Sequence, residues 1–319
     1  MDRIVDITTD NVHLRAHRGF VIVMLGEREL GRIALDDVAA LIVHAHGVTW
    51  TTSLAVRLAE RGAVMVLCAA NHAPVAWILP VEGHHAQNAR MRAQWNAPLP
   101  LSKQAWKALV VAKIACQASL LSACGRQEGE ALGLLARRVR SGDPDNLEAQ
   151  AARRYWPVLM GPDFRRDRSS GGVNALLNYG YTVLRAATAR AVLASGLHPT
   201  IGVHHANRLN TFALADDLME PFRPFVDAVV HQLVNEGQDV LDGATKARLA
   251  ALLATDVDLA GMTSPLSVAI QRLAQSLAAS FELGRLSLAL FTPPTALGWR
   301  AISTRHPVGE YVMPERHDA

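Results

Sequence analysis

The spacing between apolar residues changes near residue 80, and this change constrains the architecture of the chain. Before it, short runs rich in branched residues are separated by single glycines, as in Phe20–Leu25 between Gly19 and Gly26. Such runs predict strands joined by turns. After residue 89, apolar residues recur every three or four positions, which predicts helices. The sequence therefore predicts an α+β fold: a small N-terminal β-sandwich-like domain followed by a larger, all-α domain.

The same change in pattern divides the chain. Residues 1–82 hold the strand-like runs and one helix predicted over 52–61, and they are predicted as the β domain. Residues 83–96 begin with a polar, His-rich stretch and are predicted as a linker, and residues 97–319 are predicted as the helical domain. Within it, helices are predicted over 103–122, 129–140, 148–159, 172–193, 220–235, 246–254 and 265–283.

Positive charge is concentrated in the middle of the chain, although the net charge of the whole is only +3. Residues 137–190 contain ten Arg, no Lys and five acidic residues. A planar guanidinium can donate two hydrogen bonds to one phosphate, so an Arg-rich surface suits a nucleic-acid backbone. With only four Lys in 319 residues, the preference for Arg also fits a high-GC genome, but that does not explain the clustering.

Composition and cysteine spacing exclude several classes of protein. Half of the residues are apolar and 19% are charged, which is typical of globular proteins. The cysteines, Cys68, Cys116 and Cys124, lack the number and spacing of a disulfide framework or a zinc finger. The first ten residues lack the apolar segment of a secretory signal, and no uninterrupted apolar run approaches the roughly 18 residues of a membrane span. We therefore expect a cytoplasmic protein without a membrane partner.

Two places in the helical region carry residues that could bind a metal but also have simpler interpretations. Glu148 lies in the first turn of a predicted helix, where an acidic residue also complements the helix dipole. His204 and His205 follow Pro199 in a predicted loop, and a lone loop histidine is more often hydrogen-bonded than a metal ligand. Neither place identifies a metal site by itself.

A third place is the acidic stretch Asp216-Asp217-Leu218-Met219-Glu220, followed by Pro221. Asp217 and Glu220 are three residues apart and share one face of a helix, but Asp-x-x-Glu can also cap a helix start. Carboxylate oxygens with one imidazole suit Mg²⁺ or Mn²⁺. Spacing alone leaves the capping and metal-binding interpretations both open.

Together, these places resemble the motifs of one family. The run NLEAQAARRYW, from Asn146, is similar to a block E-G-x-A-A-R-x-Y-W, with Ala149 where many relatives have Gly. The run GVHHANRLNTFALADDLMEPFRP, from Gly202, is similar to a G-x-x-H loop followed by D-L-M-E-P-F-R-P. The order Glu, His, Glu with intervals of 57 and 15 residues also agrees. The family is that of the CRISPR-associated adaptation integrases, and the second run looks closest to the compact proteins of type II systems.

The resemblance implies a catalytic metal site in the helical domain. Glu148, His205 and Glu220 would bind one Mg²⁺ or Mn²⁺ ion, with Asp217 and His204 as supporting residues. His205 is preferred over His204 because it is the fourth residue of G-x-x-H. The implied reaction is metal-dependent transesterification, which joins the 3′-hydroxyl ends of captured double-stranded DNA to the CRISPR repeat.

The resemblance also implies a homodimer, two copies of which flank a small adaptation partner protein in a heterohexamer. The type II effector nuclease is a further expected partner. Residues 1–82 are the predicted dimer surface, because their apolar runs exceed what so small a domain readily buries alone. DNA contacts are assigned to residues of the helical domain: Arg137, Arg138, Arg153, Arg154 and Tyr179.

Three other functions fit parts of the pattern. A metal-dependent nuclease acting on branched DNA would use the same site with water as the nucleophile. A non-catalytic DNA-binding scaffold would use the carboxylates only as helix caps. A zinc protein would need His84, His85, His204 and His205 to converge, without a Cys or Glu at suitable spacing.

Overall fold

Two four-stranded sheets form the N-terminal part of the protein. The computed structural model describes residues 3–69, 74–167, 170–205 and 210–305. The elements of the N-terminal part are β1 (Arg3–Ile7), β2 (His13–His17), β3 (Phe20–Leu25), β4 (Arg28–Ala34), β5 (Val38–Val43), β6 (Thr49–Trp50), α1 (Thr52–Ala59), β7 (Val64–Cys68) and β8 (Pro74–Ile78). One sheet has the order β1-β5-β7-β8 and the other β4-β3-β2-β6. In the first, β1, β5 and β7 are parallel and β8 is antiparallel to β7.

β5 is buried on both faces, which explains its uninterrupted apolar sequence Val-Ala-Ala-Leu-Ile-Val. Leu41 and Val43 pack into the core between the two sheets, whereas Ala40 and Ile42 belong to the core of the helical part. Successive side chains on a strand point to opposite faces, so one strand can supply both cores. The first sheet therefore forms a wall shared by two cores.

This shared wall changes the interpretation of the apolar strand surface. Ile42 on β5 and Val64 and Val66 on β7 pack against the chain's own helices. The apolar surplus of residues 1–82 therefore does not by itself require a second copy. The homodimer stays a prediction that rests on other grounds.

Helices and a short hairpin make up the rest of the described chain. They are α2 (Gln87–Trp95), α3 (Leu99–Ala123), α4 (Glu128–Arg137), α5 (Leu147–Met160), α6 (Val173–Ala194), α7 (Ala213–Met219), α8 (Arg223–Asn235), α9 (Gly243–Ala250), β9 (Asp256–Leu259), β10 (Met262–Pro265), α10 (Leu266–Leu283) and α11 (Ala296–Ser303). The predicted fold class is confirmed, with the antiparallel pair β9–β10 as a small exception inside the helical part.

α3 runs through the centre of the helical part, where it contacts α4, α5, α8 and α11. Leu109, Val110 and Ile114 on this helix are fully buried. By length and composition α3 is also apolar enough to cross a membrane, but 61% of its apolar window is buried inside the protein. Burial of this kind is typical of a core helix.

Besides β9–β10 and α11, neither of which is predicted from the sequence, the structure differs from the prediction in two further segments. The predicted linker 83–96 contains α2, and the Gln94 side chain donates to the carbonyl oxygens of His198 (3.0 Å) and Ile201 (2.7 Å). The limits 1–82 and 97–319 stay a prediction. The helix predicted over 220–235 begins instead with a 3₁₀ turn, Glu220–Phe222, and α7 precedes it. Pro221 has no amide hydrogen for a regular helix, which accounts for the altered turn.

A buried polar cluster joins the sheet to the helices. The Tyr179 hydroxyl on α6 donates to Asp6 Oδ2 on β1 (2.9 Å), and Asp6 Oδ1 lies 2.7 Å from His44 Nδ1. The Tyr179 side chain is fully buried. The prediction that Tyr179 contacts DNA is therefore wrong, because its ring and hydroxyl are both used inside the protein.

We expect Tyr179→Phe to lower the free energy of unfolding by about 1–3 kcal/mol, because a buried carboxylate oxygen loses its donor. Chemical denaturation of the full chain would measure the change. In a double-mutant cycle with Asp6→Asn, the two effects should be less than additive. Additive effects would show that the hydroxyl and the carboxylate do not interact.

Candidate active site

Lys113 on α3 lies between two carboxylates from distant parts of the chain. Its Nζ donates to Glu148 Oε1 and to Glu220 Oε2, each at 2.5 Å. The side chains of Lys113 and Glu220 are only 8% and 7% exposed, whereas that of Glu148 is 28% exposed. The predicted pair Glu148 and Glu220 is thus brought together. Two carboxylates that contact one nitrogen can also be bridged by one metal cation.

Glu148 is available for this contact because other residues cap its helix. The Asp143 carboxylate accepts hydrogen bonds from the amides of Leu147 (2.9 Å) and Glu148 (3.0 Å). The Asn146 side chain accepts from the amide of Ala149 (3.3 Å). The first turn of α5 therefore has its caps without the Glu148 carboxylate, which contacts Lys113 instead.

Glu220 is the first residue of the 3₁₀ turn between α7 and α8. Its Oε1 accepts from Arg223 Nε at 2.8 Å. Burial opposes ionisation of Glu220, but Arg223 and Lys113 outweigh it and lower the pKa from 4.5 to about 2. The carboxylate is therefore charged at neutral pH.

Asp217 holds the histidine loop. Its carboxylate is fully buried and accepts the amides of Val203 (2.7 Å), His204 (3.0 Å) and His205 (3.3 Å). Oδ1 also lies 2.5 Å from His205 Nδ1, which leaves Nε2 as the ring nitrogen able to bind a metal. A Cβ on Gly202 would lie 2.7 Å from Asp217 Oδ2, so only glycine fits there.

The two adjacent histidines point in different directions. The His204 ring stacks on Trp106 with centroids 4.1 Å apart and an interplanar angle of 1°. Burial lowers the pKa of His204. His205, by contrast, lines the same cavity as Glu148 and Glu220. The choice of His205 over His204 agrees with this placement, and His204 supports the loop through its contact with Trp106.

The cavity has a volume of about 590 Å³ and carries both signs of charge. Its lining side chains are Lys113, Gln117, Glu148, Ala152, Trp156, Arg166, Tyr181, Arg185, His205, Asn210, Asp216, Glu220, Arg223 and Asp227. A cavity with carboxylates and several guanidinium groups can hold a cation and a phosphate side by side.

The partly buried Tyr181 ring contacts two of these guanidinium groups. Arg223 and Arg166 lie 4.6 and 5.3 Å from the centroid of the Tyr181 ring. The Tyr181 hydroxyl donates to Asp227 Oδ1 (2.5 Å), and the Tyr155 hydroxyl donates to Oδ2 (2.9 Å). Burial raises the pKa of Asp227 to about 6, although both hydroxyls oppose the shift. These two hydrogen bonds hold Tyr181 and Tyr155 in place, and Tyr181 in turn contacts both guanidinium groups.

Arg185 is held separately by Asp216, whose carboxylate accepts from Nε (2.6 Å) and Nη2 (2.7 Å). Asn210 donates to the same carboxylate (2.8 Å). Asp216 is therefore occupied by an Arg of the cavity wall and is not placed as a metal ligand.

The predicted DNA-binding arginines lie elsewhere. All four are exposed, on α4, directly after it, or on α5: Arg137, Arg138, Arg153 and Arg154. Among the described residues, the cavity is lined instead by Arg166, Arg185 and Arg223. DNA contacts of the four exposed residues stay a prediction. Arg166 and Arg185 belong to the Arg-rich range 137–190, which the sequence analysis connects with phosphate binding. No local sequence pattern separates these two residues from the other arginines of that range.

The zinc interpretation is not supported. His84 Nδ1 accepts the amide of Ala86 (3.0 Å), and Nε2 lies 3.1 Å from Arg90 Nη1, so both ring nitrogens are occupied. Over the part of the chain that the structure describes, no three His, Cys, Asp or Glu side chains are arranged as a ready metal site. This holds for Glu148, His205 and Glu220 as well, and the Lys113 ammonium contacts both carboxylates.

Comparison with protein families and curated proteins gives a consistent result. The profile described as "CRISPR associated protein Cas1" matches residues 5–257. A CRISPR-associated endonuclease Cas1 from Neisseria meningitidis is 40% identical over 207 residues, which span 65% of this chain and 68% of the relative. A CRISPR-associated endonuclease Cas1 from Pyrobaculum aerophilum is 30% identical over 295 residues, which span 85% of this chain and 97% of the relative.

Solved structures with the same fold cover nearly the whole chain. A casposase bound to integration product superposes with a TM-score of 0.75 at 19% identity, over 99% of this chain and 96% of that one. A chain of a Cas6-RT-Cas1–Cas2 complex superposes with a TM-score of 0.72 at 18% identity, over 92% of this chain and 36% of that one. At these identities the likeness establishes the fold alone.

The Asp217 contact makes a prediction for His205. Its hydrogen bond to Asp217 raises the pKa of His205, because the carboxylate favours the protonated ring. We expect His205 to titrate above the ordinary value of about 6.5 in metal-free protein and to titrate lower in Asp217→Asn. Histidine NMR titration would measure both, with His205→Gln to assign the signal. An unchanged pKa in Asp217→Asn would contradict this assignment of the contact.

Proposed function

Because the chain belongs to the Cas1 family of CRISPR-associated proteins, we propose that it is a metal-dependent DNA integrase of CRISPR adaptation. One observation carries the proposal. Glu148 and Glu220 converge on a single nitrogen, at the cavity that His205 also lines. The curated relatives are named endonucleases, and the casposase structure was solved with an integration product. Both names agree with chemistry on DNA phosphodiesters.

The donor set fits Mg²⁺ or Mn²⁺. Glu148, Glu220 and His205 would hold the ion through carboxylate oxygens and one imidazole nitrogen. When bound, it would polarise a phosphoryl oxygen and lower the pKa of an attacking hydroxyl. Asp217 orients the His205 ring through its contact with Nδ1, so that Nε2 is the nitrogen that would bind the metal.

The proposed reaction exchanges one phosphodiester for another. The 3′-hydroxyl oxygen of a captured DNA end forms a bond to phosphorus at the edge of a CRISPR repeat, and the existing phosphorus–oxygen bond breaks to leave a new 3′-hydroxyl. The proton lost by the attacking hydroxyl is regained on the leaving oxygen. Arg166, Arg185 and Arg223 line the same cavity and would balance the charge on the phosphate.

We also propose the partners that family membership implies. They are a second copy of the chain, a small adaptation partner in a heterohexamer, double-stranded DNA with 3′ ends, the CRISPR repeat and, in a type II system, the effector nuclease. A fold-level neighbour is part of a complex named with Cas2, which supports the small partner. The exposed Arg137, Arg138, Arg153 and Arg154 are the proposed contacts to the DNA backbone, and the cytoplasm is the proposed location.

Glu220→Gln tests the reaction. We expect strand joining to fall by about a thousandfold, because the metal loses a charged ligand while the shape of the side chain is kept. DNA binding measured without divalent metal should be little changed. An integration assay with labelled 3′-hydroxyl DNA and a repeat target, with and without Mn²⁺, would measure joining. Glu128→Gln, an exposed change on α4, is the matched control.

Three outcomes of this assay would contradict the integrase proposal. Cleaved but unjoined product would favour a nuclease for branched DNA. DNA binding without joining, indifferent to divalent metal, would favour a scaffold. Full joining by Glu220→Gln would remove the glutamate from the reaction.

The homodimer can be tested on the full chain. We expect a dimer in sedimentation velocity at micromolar concentration, held by the β part. Val56 on α1 is 50% exposed, and Leu297 on α11 is 75% exposed. A charge introduced at an apolar interface is costly, so Val56→Glu should weaken the dimer and the matched Leu297→Glu should not. A monomeric wild type, or the opposite response of the two variants, would contradict this arrangement.

A further inference from the structure

The ammonium group of Lys113 occupies the place where the two carboxylates meet. Its Nζ contacts Glu148 and Glu220 at equal distances of 2.5 Å. The position of Lys113 is fixed by its helix, because Leu109, Val110 and Ile114 on either side are fully buried. The packing of α3 therefore holds the Lys113 side chain at this contact.

The charges around this point are already balanced. Glu148 and Glu220 contribute two negative charges, and Lys113 and Arg223 contribute two positive charges in direct contact. The neighbouring Asp216 is paired with Arg185. A divalent cation that binds both carboxylates would lie within a few ångströms of the ammonium. Like charges at such a distance repel each other, and the repulsion is strong where water is scarce.

We propose that Lys113 competes with the metal ion for Glu148 and Glu220 and thereby sets the metal affinity of the site. This inference rests on the proposed function and adds an element of regulation to it. Metal binding requires the ammonium to withdraw from at least one carboxylate. The cost of that withdrawal weakens the binding of metal to the protein alone.

The same competition couples metal binding to DNA binding. A phosphodiester entering the cavity brings a negative charge with which the displaced ammonium can pair. DNA should therefore tighten metal binding, and metal should tighten DNA binding by the same factor. Without Lys113, the displaced positive charge is absent and this coupling should shrink.

The test measures Mn²⁺ binding to the full-length protein by calorimetry, with and without a short DNA duplex. We expect Lys113→Met to bind Mn²⁺ about tenfold more tightly than wild type in the absence of DNA, because the competing charge is gone. Lys113→Arg keeps the charge and should bind no more tightly than wild type. Lys107→Met, an exposed change on the same helix, is the matched control and should leave the affinity unchanged.

Thermal unfolding provides a second readout. Lys113→Met leaves the two carboxylates without their shared cation, so its melting temperature without metal should fall and its rise on adding Mn²⁺ should exceed that of wild type. Lys113→Gln, which keeps a polar group, would be measured in the same way if the Met variant does not fold.

The Glu220→Gln variant distinguishes failure of the proposed metal site from failure of the proposed competition by Lys113. If it binds Mn²⁺ as tightly as wild type, the site is not the metal site and the proposed function fails. If Glu220→Gln loses Mn²⁺ while Lys113→Met and Lys113→Gln bind it no more tightly than wild type, the metal site stands and only the competition by Lys113 is overturned. Tighter binding in the neutral Lys113 variants, with normal affinity in Lys107→Met, supports the inference.

Discussion

A buried carboxylate needs hydrogen-bond donors or a positive charge beside it, and here α3 brings a positive charge to the centre of the helical part. The Lys113 ammonium contacts Glu148 from the first turn of α5 and Glu220 from the turn between α7 and α8. Three elements far apart in sequence are thereby held together at one point. The cavity wall depends on this point, because Arg223 also contacts Glu220 and lies over Tyr181.

The segment from α7 into α8 distributes three buried aspartates over three different tasks. Asp216 binds Arg185, Asp217 accepts the amides of the histidine loop, and Asp227 accepts the hydroxyls of two tyrosines. None of the three makes a hydrogen bond to Lys113 in the described structure, where the ammonium donates to Glu148 and Glu220. An acidic stretch that looks uniform in sequence thus becomes a set of separate supports around one cavity.

Sequence patterns predicted what depends on local spacing. The long helices follow from periodicity, whereas the pairing of Glu148 with Glu220 was predicted only through the resemblance of their motifs to one family. Lys113 was missed because its partners are 35 and 107 residues away, and because the pattern around it reads only as a core helix. The Tyr179 error has a similar cause: whether an aromatic residue on a helix is exposed depends on which element covers that face. Polar composition likewise suggested a linker where Gln94 fastens α2 to a loop.

The wall formed by the first sheet has a consequence for how the protein changes over evolutionary time. A substitution at Leu41 changes the packing of the core between the sheets. A substitution at the next residue, Ile42, changes the packing of the helical core. Close-packed interiors tolerate changes in volume only when their neighbours adjust. The β part is consequently not a module that can be exchanged for another, and the two parts must accumulate substitutions in step with each other.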